Sequence, residues 1–394
     1  MYRLVNPIKG YSWGSRSAIA ELLGQPAPAD EPQAEMWMGA YPSAPSMLMH
    51  GGTEQSLAAA VEESPRELLG EATLARFGAR LPFLLKVLAV EQPLSLQVHP
   101  SGEHASRGFA AEQRNGVPLD SPKRTYRDAS HKPELICALT PFEALCGLRP
   151  VAEIVDVLEE LAVPQLDFAV AALARNGEPD GIRALLMGIF TAADPVRLVA
   201  AVHGACSSLT GSDGRFAASF RLTADLAQRF PGDPGVVVSL LLNLLRLRPG
   251  EATYVPPGRL HSYLGGVGIE IMASSDNVLR GGLTTKNLDV AELMSVLEPR
   301  SAVPEIIDCL PDGSGWSTYA TPAVDFALSR VILAGDRVGA DLSGPQILLC
   351  VDGALSLTNA DGKHAVSRGQ SVFVPAGERV ALSGTGTAFR AATG

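Results

Sequence analysis

Short apolar stretches separated by Gly- and Pro-rich turns predict mainly β structure at both ends of this chain. In residues 94–99, Leu-Ser-Leu-Gln-Val-His, apolar and polar side chains alternate strictly. Because successive side chains of a strand point to opposite faces, Gln97 and His99 would share one polar face, within reach of a single metal ion. A half-exposed strand with its polar residues in solvent is an equally good interpretation of this stretch alone.

Two further apolar runs predict buried strands, each with one charged residue within it or directly before it. Residues 83–90 contain Lys86, which either reaches the edge of the sheet or meets an anion. Residues 135–139 are preceded by Glu134, which is either an exposed charge at a strand end or a metal ligand. Residues 100–133, between these runs, lack a strong periodic pattern and predict a long loop over the site.

From Val151 the apolar residues recur at helical spacing, which predicts an all-helical insertion. His203 lies within it on an Ala- and Val-rich face, so we expect a core or surface histidine there rather than a ligand. The β pattern returns at Val236. The predicted helices span residues 151–163, 166–174, 182–190, 196–209 and 216–230.

One strand–turn phrase occurs twice: VPPGRLH follows Gly250, and VPAGERV follows Gly369. Aligning these glycines places His261 of the first copy on Val380 of the second. Such a repeat is typical of the double-stranded jelly roll, or cupin, with the metal ligand lost from the second copy.

The predicted fold is therefore mainly β with an α insertion: two cupin (jelly-roll) β-barrels, the first interrupted by an all-helical domain. We assign residues 1–150 to the first part of the first barrel and 151–235 to the insertion. Residues 236–305 complete the first barrel, and 306–394 form a degenerate second barrel without metal.

Composition narrows the class of protein. The chain has 394 residues and is 46% hydrophobic, enough for a large core. Its net charge of −10 argues against nucleic acid as a partner, because phosphate binding requires a basic face. We expect no membrane span and no signal peptide. The five cysteines are scattered without CxxC spacing, which favours a reducing, cytoplasmic setting with buried thiols.

Gln97, His99, Glu134 and His261 together form a set of two imidazoles, one carboxylate and one amide. Such a set suits zinc, and iron or manganese would also accept it. Downstream, a Gly-rich loop carries an acid and two cations. Cations beside a metal indicate a small anionic substrate, most naturally a phosphorylated one, although Asp276 and Arg280 could equally form a surface ion pair. These loop residues are Asp276, Arg280 and Lys286.

Several phrases make the chain similar to one family along nearly its whole length: it resembles the type I mannose-6-phosphate isomerases. The resemblance implies a catalytic first cupin and one zinc ion bound through the four residues above. It also implies Arg280 in the active site, and interconversion of mannose 6-phosphate and fructose 6-phosphate. The matching phrases lie at residues 6–15, 34–39, 42–46, 94–100, 126–134, 261–263 and 275–280.

Two positions depart from the family's usual pattern. Ser130 stands where Asn is usual, and Tyr41 stands where His is frequent. Neither is an expected metal ligand, so they bear on substrate preference rather than on the type of reaction.

Aldose–ketose isomerisation moves a proton between C1 and C2 through a cis-enediol, so it requires one base and a cation that stabilises negative oxygen. Arg280 is the expected stabiliser, because a guanidinium stays charged. The candidates for the base, left unranked, are His131, Lys132 and Asp276. Candidates for holding the phosphate or sugar hydroxyls are Lys86, Ser95 and Lys286.

Two other functions fit the same pattern: another metal-cupin enzyme, such as an iron dioxygenase, and a non-catalytic sugar-phosphate-binding cupin. For the isomerase we expect a monomer whose partner is a small phosphorylated sugar, with no nucleic-acid or membrane partner.

Overall fold

The computed structural model describes residues 1–50, 53–121, 123–211, 213–286, 288–340 and 343–394. Short strands dominate the first 150 residues. These strands are β1 (Tyr2–Val5), β2 (Ile8–Lys9), β3 (Glu35–Met38), β4 (Met47–His50), β5 (Thr53–Ser56), β6 (Phe83–Val90), β7 (Gln97–Val98), β8 (Glu134–Ala138) and β9 (Phe142–Leu148). The helices among them are α1 (Ala18–Leu22), α2 (Leu57–Glu63), α3 (Pro65–Phe77) and α4 (Gly102–Arg114).

The helical insertion follows β9, as the periodicity predicts. Its five long helices agree with the predicted bounds to within a few residues, and a 3₁₀ turn, Pro164–Leu166, separates the first two. His203 is half-buried in the fourth of them. The helices are α5 (Val151–Leu161), α6 (Asp167–Asn176), α7 (Asp180–Phe190), α8 (Pro195–Leu209), α9 (Ala217–Arg229) and a short α10 (Gly235–Ser239).

The return to β structure at Val236 was predicted too early, because α10 occupies that position. The N–H of Gly235 donates to Asp233 Oδ1 at 2.7 Å, in a local turn that leads into this short helix. The remaining strands and helix are β10 (Leu242–Leu247), β11 (Ala252–Val255), β12 (His261–Ala273), β13 (Leu279–Arg280) and α11 (Val290–Val296), then β14 (Cys309–Pro311), β15 (Ser317–Tyr319), β16 (Ala327–Gly339), β17 (Gln346–Asn359), β18 (Gly362–Ser367), β19 (Ser371–Val374) and β20 (Ala381–Ala392).

The strands form two ten-stranded sheets, which confirms the mainly β fold with a helical insertion. One sheet contains the order β10-β9-β12-β6-β3-β2, with β7, β8, β11 and β13 paired beside this path. The other runs β14-β15-β16-β20-β17-β19-β1-β4-β5, with β18 on β17. Three strands of the first 56 residues thus extend the sheet of the C-terminal residues, and the proposed domain boundaries stay a prediction.

The two copies of the repeated turn have the same backbone conformation. Gly250 and Gly369 have φ of +92° and +80°, and the later pair, Gly258 and Gly377, have +83° and +73°. Such left-handed angles favour glycine, which explains why both copies carry it at these places. Val380 is buried in the apolar core of the C-terminal sheet, where the first copy has His261.

Residues 100–133 are not the uninterrupted loop that was predicted, because they contain α4. The hydroxyl of Ser101 caps this helix by accepting the N–H of His104 at 3.3 Å. Of its thirteen residues only Ala105 is buried, and most of the others are small or polar, so no apolar run in the sequence indicates a helix here.

The apolar side of residues 94–99 faces a core shared with the insertion. Leu96 and Val98 are fully buried in one cluster with Ile154, Leu185 and other residues of the insertion helices. A second cluster joins residues of both sheets, for example Phe83 with Phe389. The insertion therefore packs directly behind the segment that carries Gln97 and His99.

Cys137, Cys146, Cys206 and Cys350 are buried free thiols, and Cys309 is a half-buried one, as expected from the scattered spacing. Among the described helices, none alone has the length and hydropathy to cross a bilayer. Only α7 and α8 taken together meet those criteria, and they are bent by 106°.

Candidate metal centre

Residues 94–99 approach the site as an extended segment rather than as the continuous strand that was predicted. Only Gln97 and Val98 pair as a strand. The rest of the segment is held by backbone hydrogen bonds. The N–H of Leu94 donates to the carbonyl of Tyr263 at 2.9 Å. The apolar positions are nevertheless buried, as the alternation predicts: Leu94, Leu96 and Val98 lie in the core.

Gln97 lies between two functional candidates. It is directly paired with His261 on one neighbouring strand and with Arg280 on the other. Directly opposed residues of antiparallel strands project to the same face. The side chains of Gln97, His261 and Arg280 therefore share one face.

His99 has the environment of a neutral metal ligand. Its Nδ1 lies 2.8 Å from the backbone carbonyl of Asn277, to which it can donate a proton. Its Nε2 is buried and, within the described residues, has no hydrogen-bond partner. Burial lowers the pKa of His99 to about 4, so the imidazole is neutral at physiological pH. An orphaned, neutral Nε2 in a buried site is what a metal would require.

His261 begins strand β12 directly after the repeated turn. The turn is tied to the other imidazole segment, because the N–H of Gly258 donates to the carbonyl of His99 at 2.8 Å. Nδ1 of His261 lies 3.1 Å from the carbonyl of Arg259, and its Nε2 lies 3.3 Å from Oε2 of Glu134. The ring centroids of His261 and His99 are 5.0 Å apart.

Glu134 opens strand β8, between β11 and β12, and its carboxylate lies between the two imidazoles. Oε1 is 3.2 Å from Nε2 of His99, and Lys132 Nζ is 3.1 Å from the same oxygen. Burial by itself would raise the pKa of Glu134. The adjacent His99 and Lys132 nevertheless hold the pKa of Glu134 well below its usual range.

The ligand atoms of His99, Glu134 and His261 all lie within 4.8 Å of one another, and all three residues are buried. Two neutral imidazoles and one carboxylate are a common zinc set, and the amide of Gln97 faces the same side. The residues present therefore fit the metal that the sequence predicts.

The three candidates for the base are not placed alike. Lys132 is buried and ion-paired with Glu134. His131 turns towards the C-terminal residues, where its Nε2 lies 2.8 Å from Oδ2 of Asp325, so its ring is engaged away from the cluster. Asp276 is half-buried, and its N–H donates to Asp128 Oδ2 at 2.9 Å.

Positive charge collects beside the cluster. Arg280 is half-buried, and burial lowers its pKa, while Asp276 opposes that shift. Lys286 is exposed, and its pKa is lowered first by the charge of Arg280, then by burial and by Arg127. Like charges held close without full compensation are typical of a phosphate site.

Lys86 is not free to meet an anion from outside. Its Nζ lies 3.2 Å from Glu35 and 3.3 Å from Glu270, and it stands 4.8 Å from the ring centroid of Trp37. Burial would lower the pKa of Lys86, but the two carboxylates raise it well above its ordinary value. Ser95, the third candidate for binding substrate, is half-buried within the extended segment.

Sequence reasoning missed Glu270, Asp128 and Asn277 as parts of this region. Glu270 could have been found, because it is the single charge in an apolar run, as Lys86 is in its own, and the two residues are paired in register. Asp128 and Asn277 gave no such signal, because the role of a polar side chain inside the fold is recognisable only once its hydrogen-bond partners are known.

Comparison with known proteins gives a consistent result. The family model described as phosphomannose isomerase type I, catalytic domain, matches residues 1–151. The chain is 36% identical to the mannose-6-phosphate isomerase of Salmonella typhimurium, over 99% of either chain. It is 33% identical to that of Macaca fascicularis, over 95% of this chain and 93% of the relative.

Solved structures agree along the whole chain. A crystal structure of the Salmonella typhimurium mannose 6-phosphate isomerase bound to fructose 6-phosphate and zinc has a TM-score of 0.90 at 36% identity. A zinc-bound mannose 6-phosphate isomerase has a TM-score of 0.90 at 35% identity. Each comparison covers 100% of this chain and 99% of the other.

Proposed function

The chain belongs to the mannose-6-phosphate isomerase family, and from this premise we propose that it interconverts mannose 6-phosphate and fructose 6-phosphate with one zinc ion per chain. The observation that carries the proposal is the buried cluster of His99, Glu134 and His261, with an unpartnered imidazole nitrogen turned into it.

We propose that Gln97, His99, Glu134 and His261 hold the zinc. The single carboxylate leaves the ion with about one positive charge, so bound zinc would supply Lewis-acid stabilisation of an enediolate. Lys132 would keep Glu134 ionised through its short ion pair, which makes it a positioning residue. Burial of His99, Glu134 and His261 excludes water from these three ligands.

The phosphate end of the substrate is best served by Lys286, which leaves Arg280 for the sugar oxygen that gains negative charge. The charge of Arg280 lowers the pKa of Lys286, and a phosphate bound there would offset their repulsion. Lys86 has its charge already balanced by Glu35 and Glu270, so we propose that it orders the buried carboxylates instead. Ser95, half-buried in the extended segment, would hydrogen-bond a sugar hydroxyl.

Among the three candidates for the base, we propose Asp276. Lys132 would have to lose a proton that its ion pair with Glu134 favours. His131 would have to leave Asp325. A carboxylate needs no such change: it accepts the proton at C2 and returns it at C1, while Arg280 stabilises the oxygen that gains negative charge.

A coupled isomerase assay over phosphorylated and free aldoses, with metal content measured on the same sample, tests this function. We expect turnover of mannose 6-phosphate by protein containing one zinc per chain, and little turnover of free mannose. Tight binding of the sugar phosphate without turnover would mark a non-catalytic binder, and oxygen uptake with bound iron would mark an oxygenase.

We propose further that the isomerase is a cytoplasmic monomer. Its catalytic unit would comprise residues 1–150 and 236–305, with 151–235 as the insertion and 306–394 as the second barrel. Light scattering coupled to size exclusion tests the monomer: a mass near 41.3 kDa is expected, and a mass of twice that value would contradict it.

A further inference from the structure

Asn277 is a fully buried amide whose side chain is saturated with hydrogen bonds. Its Nδ2 donates to the carbonyl of Asp128 at 2.9 Å, to that of Ser130 at 3.0 Å and to Oδ1 of Asp128 at 3.2 Å. Its Oδ1 accepts the N–H of Arg127 at 2.7 Å and that of Asp128 at 3.3 Å. One side chain thus fixes the backbone of residues 127–130.

The main chain of the same residue orients a metal ligand. The carbonyl of Asn277 lies 2.8 Å from Nδ1 of His99. A carbonyl can only accept, so this contact selects the tautomer with the proton on Nδ1 and leaves Nε2 as a lone-pair donor. This Nε2, with its free lone pair, is the nitrogen that points towards Glu134.

The carboxylate of Asp128 links this segment to Tyr41 and to Asp276, the proposed base. Its Oδ2 accepts the hydroxyl of Tyr41 at 3.1 Å and the N–H of Asp276 at 2.9 Å. Its Oδ1 accepts the N–H of Ser130 at 2.9 Å. The carboxylate therefore holds Asp276, the proposed base, at a fixed distance from the segment that Asn277 binds.

We propose that Asn277 is a positioning residue that couples the orientation of His99 to the placement of Asp276 through Asp128. The inference rests on the proposed function, because it assigns a role within that metal-dependent site. Amides that saturate their bonding in a dry interior are rigid, so both ends of the network hold one geometry. The side chain of Asn277 fixes the backbone of residues 127–130. The same hydrogen bonds hold Asn277 itself in place, and with it the carbonyl that faces the imidazole of His99.

The test compares Asn277→Ala with a matched control, Asn243→Ala. Asn243 Nδ2 likewise donates to four carbonyls, those of Cys146, Gly147, Leu148 and Ala302. The zinc dissociation constant is measured by chelator competition, and the absorption spectrum is recorded with cobalt in place of zinc. Urea unfolding of both variants matches them for stability.

For Asn277→Ala we expect the zinc dissociation constant to rise about 10- to 100-fold, with a shifted cobalt spectrum, as is usual when a residue that orients a ligand is lost. Asn243→Ala should lose comparable stability yet keep its zinc affinity within about threefold of wild type. Wild-type zinc affinity and spectrum in Asn277→Ala would overturn the proposal, because its role would then be packing alone.

Asp128→Asn tests the other half, and it does so even if Asn277→Ala fails to fold. Its new amide group would place N–H against donors, so we expect kcat for mannose 6-phosphate to fall about tenfold, with KM changed less and zinc affinity kept. An unchanged kcat would overturn the coupling. A wild-type protein that binds zinc without isomerising sugar would refute the proposed function instead, while the metal measurements would still decide the role of Asn277.

Discussion

Gln97 and Arg280 are directly opposite one another on paired antiparallel strands. This register places the guanidinium of Arg280 on the face that Gln97 shares with His261. The cation is therefore fixed beside the proposed metal ligands by backbone pairing rather than by a surface ion pair with Asp276. Its position allows it to act on charge that develops in the substrate without itself holding the metal.

Replacing Arg280 with Ala should reduce catalysis while leaving the metal bound. We expect kcat to fall by at least about 100-fold, because a preorganised positive group at a developing oxyanion is lost. Zinc content should stay at one per chain by elemental analysis. Arg246→Ala, which removes an exposed pair with Glu143, serves as the control and should be near wild type. Equal loss of zinc and rate would make Arg280 a structural residue.

His131→Asn should cost little catalysis if Asp276 is the base. The ring of His131 is engaged with Asp325, so we expect kcat to fall by less than about tenfold, and Asp325→Asn should give the same loss. The double variant should then be no worse than either single one. Asp276→Asn should lower kcat by at least about 100-fold. A reversed order, measured in the same assay, would assign the base to His131.

Much of this fold was predictable because its strands and helices are strongly periodic. The insertion helices begin and end near the predicted residues, and Phe83–Val90 is the predicted strand. The repeat around Gly250 and Gly369 was visible because left-handed turns restrict the residue type. α4 was missed because its residues are mostly small or polar and only Ala105 is buried, so no strong apolar pattern marks the helix in the sequence.

The site was less predictable, for a physical reason. Residue types that ligate metal are few, so His99, Glu134 and His261 could be proposed from sequence, and their atoms do converge. Whether a charge is free or already paired depends on distant strands. Lys86 illustrates the difficulty, because its carboxylate partners come from two other strands and only the sheet register brings them together.

Stability should depend on pH through Glu270. Burial first, and then the charge of Glu134, raise the pKa of this carboxyl from 4.5 to about 7, although Lys86 and Lys132 oppose the shift. Between these values the folded protein keeps a proton that the unfolded chain releases. The free energy of unfolding should therefore fall as pH rises through this window.

Urea unfolding of metal-free protein at pH 5 and at pH 7.5 measures this dependence. We expect Glu270→Gln to lose much of the decrease that wild type shows between the two values, since the amide cannot titrate. Glu91→Gln, at an exposed position, should retain the wild-type decrease. Identical pH dependence in wild type and Glu270→Gln would show that another group is responsible.

Removing the metal should abolish isomerase activity and lower thermal stability together. Without a cation, the ligand atoms of His99, Glu134 and His261 lie close together with no metal between them. Zinc that binds only the folded state also adds stability by mass action. Exhaustive chelation followed by stepwise addition of zinc should restore activity and melting temperature in parallel, with a break at one equivalent. Activity that survives complete metal removal would contradict the zinc-dependent mechanism.

Truncating Leu96 should show that packing of the ligand segment against the core positions the metal ligands. Leu96 is fully buried in the core that it shares with the insertion, and it directly precedes Gln97. Leu96→Ala should therefore lower the free energy of unfolding by about 2–5 kcal/mol and weaken zinc binding as well, because the cavity lets the ligand segment shift.

Leu185→Ala is the matched control: this residue is equally buried in the same core but lies in α7. We expect similar destabilisation by urea titration but unchanged zinc affinity by chelator competition. If the two variants had the same zinc affinity, Leu96 would stabilise the fold without positioning the ligands.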